Sequence, residues 1–374
     1  GATQTQITAN WSASTGASGY YLDVATDITF TGILTNYNNL NVSSNLTCNI
    51  TGLSCGKAYY YRLKAYNTCG TSDNSGTITY STSLCCPNAW SVMAADPVLR
   101  SSSSATVVNN IIYVIGGTAG GTISSINEAY DPATNTWTTK AAMPTARYAL
   151  GVAAVNGIIY AIGGSLVSYG GLATNESYNP VTDQWTTGLE GLPTPRLALY
   201  VIAVNNKIYA IGGGINTSAY FSGVTESYDP STGHWTSGLA TKPTSVYGAP
   251  LAVYNNTIYA MGGVNTSWVP CVANEAYNIS TNSWSSKASL PIPVCGSALA
   301  TINNIIYAAG GSTNGDAPIS NTASYNPSNN TWTTGLASMI YPLISSSFAT
   351  VNNVLYVTSY TSSGPTSVNE AYCP

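Results

Sequence analysis

The chain has 374 residues, 44% of them hydrophobic and 6% charged, with a formal net charge of −4. Typical soluble chains carry roughly a quarter charged residues, and ten Lys and Arg cannot build a phosphate-neutralising surface, which argues against nucleic acid as a partner. A single histidine, His234, argues against a metal site, and no apolar run reaches the about 18 residues of a membrane span. Abundant Thr, Asn, Gly and Tyr suit short strands and tight turns, so the expected class is all-β. The sequence begins at Gly1 without a basic-then-apolar leader and reads as a mature product whose export signal is gone. Eight cysteines, an even count, point to disulfides in an oxidising compartment, and so to an extracellular or cell-surface protein.

Residues 1–85 carry four of the cysteines and no long repeat. Ile7–Trp11 alternates in polarity, Tyr20–Val24 reads as a strand, Leu46–Ile50 alternates into Gly52-Leu53, and Tyr59–Asn67 is a long alternating strand. Trp11, the Gly52-Leu53 turn, Tyr59 and the YRLKAYN strand resemble a fibronectin type III domain, which implies an antiparallel β-sandwich. Only ten residues precede Trp11, too few for that family's first strand. The strand Gln4–Trp11 is therefore expected to offer an open edge, covered by upstream residues or by a neighbouring molecule.

From Cys86 to Pro374 the chain repeats. Tyr113, Tyr160, Tyr209, Tyr259, Tyr307 and Tyr356 recur at spacings of 47, 49, 50, 48 and 49 residues; Trp90, Trp137, Trp185, Trp235, Trp284 and Trp332 recur alongside them. A strand-rich repeat near 50 residues reads as a propeller. In each unit two apolar strands flank a two-residue turn, Asn109-Asn110 in the first, where Asn tolerates positive φ. A Gly pair such as Gly116-Gly117 follows, then a stretch such as NEAYDPATNTW, giving a third and fourth strand. The Gly pair, the Glu-x-Tyr-Asp-Pro stretch and the Trp six residues after the Asp resemble the Kelch repeat, implying a six-bladed propeller over residues 86–374. Ser359-Tyr360 replaces the Gly pair in the sixth unit, and Ala323 replaces the Glu in the fifth. The last unit stops after its third strand, so residues 88–93 are expected to supply the fourth. A Cys86–Cys373 disulfide, with Cys85 as the alternative, would pin that junction, worth about 4–5 kcal/mol in the loop-entropy model. The remaining pairs are expected as Cys55–Cys85, Cys48–Cys69 and Cys271–Cys295.

No catalytic constellation is legible, and neither a cofactor nor a metal is expected. Kelch propellers include copper oxidases with His and Tyr ligands, but His234 is alone in a turn. Glu128, Glu176, Glu226, Glu275 and Glu370 recur one per unit and read as structural hydrogen-bonding groups rather than an acid pair. Arg100, Arg147 and Arg196 hold equivalent positions at the start of innermost strands; their convergence on a channel mouth would suit a carboxylate or sulfate, though the Kelch pattern often places Arg there. Tyr169, Tyr220, Phe221 and Trp268 lie in variable loops on the same expected face, suited to sugar stacking or protein contacts. Ten glycosylation sequons occur, at Asn10, Asn41, Asn45, Asn49, Asn175, Asn216, Asn255, Asn265, Asn278 and Asn329, about as many as chance gives. The expected function is a non-enzymatic structural or adhesive protein that self-assembles into a fibre or surface layer, its partners being itself or other extracellular proteins. The alternative is a glycan-binding module on the arginine and aromatic face.

Overall fold

The computed structural model describes residues 2, 5–82, 88–166, 170–216, 220–315, 317–344, 347–360 and 367–374. Among them the fold is all-β and antiparallel; one 3-10 turn, Thr35–Tyr37, is the sole helical element. Among the described residues no helix is long and apolar enough to cross a membrane. By compactness the chain divides into Gly1–Pro87 with Asn352–Val354 and Cys373–Pro374, and Asn88–Val351 with Leu355–Tyr372.

The first unit holds strands β1 (Gln6–Asn10), β2 (Gly19–Ala25), β3 (Leu40–Ser43), β4 (Thr47–Thr51), β5 (Ala58–Asn67), β6 (Gly70–Thr71) and β7 (Ile78–Ser81). β1 pairs only with β4, while β2 and β5 lie between β3 and the short β6 and β7. Alternation turns Ile7, Ala9, Leu22, Val24, Ile50, Tyr61 and Leu63 into one buried cluster. The Ser54 N–H donates to the Tyr59 hydroxyl at 2.8 Å, tying the start of β5 to the preceding turn. One expectation is corrected. Ala2 does fold back, bridging Ile7 and burying its side chain against the core. Among the described residues no strand flanks Thr8–Asn10 on that side.

The second unit contains six four-stranded sheets. Their first strands are Ser104–Val108, Gly151–Val155, Tyr200–Val204, Leu251–Tyr254, Ala298–Ile302 and Ser347–Val351. Each packs against the next, and the sixth packs against the first. The sixth sheet takes its outer strand, Ala89–Met93, from the other end of the repeat region, beside Ser367–Cys373. The turns form as their asparagines predict: Asn109 and Asn110 have φ of 52° and 64°, and the pattern recurs in every sheet. The Gly pairs are required by space as well as conformation. A Cβ on Gly116 would sit 2.6 Å from the Arg147 carbonyl oxygen, and one on Gly117 2.5 Å from that of Ser101. Where Ser359-Tyr360 replaces the pair, the strand runs on as Val354–Tyr360 instead of stopping after five residues.

Neighbouring sheets are latched by the tryptophans. Each indole N–H donates to a carbonyl beyond the outer strand of the preceding sheet: Trp137 to Ala94, Trp185 to Ala141, Trp235 to Glu190, Trp284 to Ala240, Trp332 to Ala288 and Trp90 to Ala337, all at 2.8–3.1 Å. The N–H of the same Ala residues goes to Asn135, Asp183, Asn282, Asn330 or Asn88, which also accept a Tyr hydroxyl, as Asn135 does from Tyr130. The third sheet has Gly233 at that place. There His234 Nδ1 meets Glu190 Oε2 at 2.8 Å instead, which gives the lone, exposed histidine a latching position.

Candidate functional site: a channel mouth

The carboxylate series and the arginines occupy the same buried places. Arg147 Nη2 lies 2.9 Å from Glu176 and Arg196 Nη2 2.6 Å from Glu226, with both guanidinium groups fully buried. Each arginine also donates to the first carbonyl of its own Gly pair, Gly163 at 3.2 Å and Gly212 at 3.0 Å. Burial pulls both down to about 10, against the partly restoring charge of the glutamate. Arg100 is buried too, but its Nε pairs with Asp96 at 2.9 Å, while Glu128 accepts from Thr139 at 3.0 Å. The expected convergence of Arg100, Arg147 and Arg196 on a channel mouth is therefore overturned. A glutamate buried in the sheet needs a counter-charge, and leaving it alone would be costly, so Arg147 and Arg196 are held against their glutamates rather than at a mouth.

Two partners were not read from the sequence. Val246 stands at the arginine position of the fourth sheet, yet Glu275 is neutralised by Lys242, four residues earlier, at 2.6 Å. Glu370 in the sixth sheet, where Leu343 holds that position, accepts the N–H groups of Ile340 and Tyr341 at 2.8 Å each, and burial pushes its carboxyl above the usual range. The signal for Lys242 was its place one four-residue step upstream, where other units carry Met143, Leu192 and Leu290.

The first strands of the six sheets surround a cavity of about 930 Å³. Among the described residues its lining is mostly Ser, Ala, Thr, Val and Leu with a few aromatics, and no charged side chain contributes. Tyr200 of the third sheet and Phe348 of the sixth stack within it, ring centres 6.2 Å apart, and burial pushes the Tyr200 phenol up to about 12. At one end stand three of the four aromatics singled out from the loops. Tyr220 stacks on Trp268 at 5.4 Å and on Tyr247 at 5.9 Å; Phe221 meets Trp268 edge-on at 4.9 Å. Tyr247 was missed because it sits just before a first strand rather than in a variable loop. Tyr169 lies outside the described residues.

The cluster is built, not incidental. Asn265 Oδ1 accepts the N–H of Ser267 and Val269, and its N–H and carbonyl close the loop onto Val269 and Trp268, so the Trp268 backbone is held at φ 61°. Tyr220 is held at φ 39° and its carbonyl accepts from Ile215 at 2.7 Å. Two aromatic residues in the left-handed region are strained positions that surrounding structure must impose.

The cysteines depart from expectation in part. Cys55 is disulfide-bonded, while Cys85 and Cys86 lie outside the described residues, so the Cys55–Cys85 and Cys86–Cys373 pairs do too. Cys48 and Cys69 do not pair: Cys48 packs toward the core from β4, whereas Cys69 is exposed in the turn after β5. Cys271 does not bond Cys295 either. Cys271 is opposite Val294 and Cys295 opposite Ser312, one residue out of step, and adjacent strand residues face opposite sides. The Cys271 thiol instead donates to the Gly262 carbonyl at 3.3 Å. Among the sequons, Asn175 is buried and donates to the Glu190 carbonyl, which leaves no room for a glycan; Asn10, Asn41, Asn45, Asn49, Asn255, Asn278 and Asn329 are exposed. Among the described residues no group of three or more His, Cys, Asp or Glu side chains could hold a metal ion.

Comparison with known proteins agrees with this geometry. Residues 99–144 match the Kelch motif. The match to the KLHDC2/KLHL20/DRC7 Kelch-repeats domain runs over residues 152–359, more than half of the chain, and the chain belongs to this family of Kelch-repeat proteins. No curated protein sequence matches it. Among solved structures it is similar to one described as "Structure of YjhT", with a TM-score of 0.64 and 19% identity over 75% of this chain and 96% of that one. At that identity the likeness is one of fold, an all-β, propeller-like architecture.

Proposed function

We propose that the chain is an extracellular, non-enzymatic structural or adhesive protein that associates with itself through its N-terminal sandwich. In this reading the sandwich is of the fibronectin type III kind, and the six sheets form a closed propeller whose last blade takes its outer strand from residues 88–93. The Tyr59 corner and the uninterrupted run of Trp latches support that architecture. The observation carrying the functional reading is the β1 edge. Ile7 and Ala9 are fully buried on its inner face, yet Thr8–Asn10 has no strand beside it on the outer side among the described residues. Such an edge is a template for strand addition by another copy. Few surface charges oppose approach, and the Cys55 disulfide suits an oxidising compartment. A sedimentation concentration series with negative-stain imaging tests the idea. Concentration-dependent polymers that Thr8→Lys abolishes are expected; a monomer at every concentration sinks it.

A second reading is favoured by one observation. Trp268 is 56% exposed although its ring is stacked and its backbone strained, which fits a glycan-binding face without the arginines.

A further inference from the structure

The cavity and the aromatic cluster belong together. Trp268 and Tyr247 both line the cavity wall, so the stack forms its rim. Phe221 is buried and supports Trp268 from the side, and Tyr220, Tyr247 and Trp268 touch one another, ring centres 5.4–6.4 Å apart, so the indole is held by three neighbouring rings. A Trp that needed only burial would not be held outward on a strained backbone; a rigid aromatic plane at a cavity mouth is a platform for a flat, partly apolar partner.

The lining says what kind of partner. Among the described residues it carries no charge. The nearby cations are already committed: Arg147, Arg196 and Lys242 to their glutamates and Arg100 to Asp96. A carboxylate or sulfate entering this cavity would lose water and gain no counter-charge. A purely apolar ligand would strand the hydroxyls of Ser102, Ser104 and Thr106 that line the wall. The phenols of Tyr200 and Tyr247 are held protonated by burial, so they remain hydrogen-bond donors across the physiological range. A pyranose meets every condition: neutral, rich in hydroxyls, and with one flat C–H face.

We propose that the cavity mouth formed by Tyr220, Tyr247 and Trp268 binds uncharged hexopyranosides, the sugar face lying on the Trp268 indole, and that it rejects anionic sugars. This deepens the glycan-binding reading and rests on it. A volume of about 930 Å³ lies at the upper end of the roughly 300–1,000 Å³ usual for small-molecule sites, so an oligosaccharide terminus fits better than a single sugar.

The test is calorimetric titration of the full chain with lactose, cellotetraose and 3′-sialyllactose, repeated on Trp268→Ala and Trp268→Tyr, alongside a glycan array. A neutral oligosaccharide should bind, the sialylated one should not, and Trp268→Ala should weaken binding by about tenfold or more while Trp268→Tyr keeps part of it. Thermal unfolding at the wild-type temperature shows that each variant is folded. Preference for 3′-sialyllactose, or neutral binding untouched by Trp268→Ala, overturns this proposal while leaving a glycan-binding protein. Silence of every glycan overturns both.

Discussion

In the second sheet the bend after the strand Ile158–Ile162 is held by a buried ion pair: Arg147 reaches Glu176 and the Gly163 carbonyl. In the fifth sheet the equivalent bend has Val294 and Ala323, and Leu290 and Val294 join one apolar cluster. Both charges are present in one and both absent in the other. The fourth sheet keeps the glutamate and moves the cation four residues upstream to Lys242. These three sheets thus keep neutrality at this buried place rather than a residue type, as the desolvation penalty of a lone buried ion requires, whereas the sixth leaves the Glu370 carboxyl on two backbone N–H groups.

Removing one member of a pair should therefore hurt most. Arg147→Ala leaves Glu176 buried and unpaired, and unfolding in urea should show a loss of about 3–5 kcal/mol. Making the second sheet resemble the fifth, with Arg147→Met and Glu176→Leu together, should lose less than Arg147→Met alone; an equal or larger loss would mean that neutrality is not what matters. Moving the cation is a finer test. Lys242→Leu should cost about 3 kcal/mol, and adding Val246→Arg should restore most of it, since Arg196 reaches Glu226 from the matching position. The latches are individually weaker. Asn135→Ala removes acceptors for the Ala94 N–H and the Tyr130 hydroxyl and puts a less suited residue at φ 56°, for a loss of about 1–2 kcal/mol. Asn135→Gly, the choice nature made at Gly233, should lose less because glycine tolerates that φ.

The smallest effect is electrostatic. Burial raises the carboxyl of Glu370 above 4.5, so the folded state holds its proton more tightly than the unfolded chain. Its contribution is full below the unfolded value and is lost as pH rises through the folded one. Stability should decline over that window, and Glu370→Gln should flatten the decline; an unchanged slope would assign it to Glu128 and Asp96, which burial also raises.

The repeat made most of this fold legible, because Trp, Tyr, Asn and Gly each answer a local demand: a latch, a packed ring, a turn with positive φ, a close backbone passage. The cation partners were not legible in the same way. Arg147 and Glu176 are 29 residues apart, and nothing local says whether a cation at one position or another four residues away will reach the carboxylate. The aromatic rim was half legible. Tyr220, Phe221 and Trp268 stand out in loops that otherwise vary, but Tyr247 joins them only through contact between adjacent sheets. In the sandwich, the outward-facing Cys69 could not be told from an inward one, since turn residues carry no alternation.

The sixth sheet has a consequence for the order of events during synthesis. Trp90 stacks on Tyr372 at 5.0 Å, and Tyr372 donates to Asn88, so strands made nearly three hundred residues apart must find each other. At about 5–20 residues per second, Trp90 waits tens of seconds for its partner while five sheets can already have formed. During that wait the edge of Ala89–Met93 that will pair with Ser367–Cys373 is open, and so is the sixth face of the growing assembly. The last step is a long-range closure, slow by topology and open to capture by another nascent chain, and expression at low concentration or with a holding chaperone should raise the yield of folded protein.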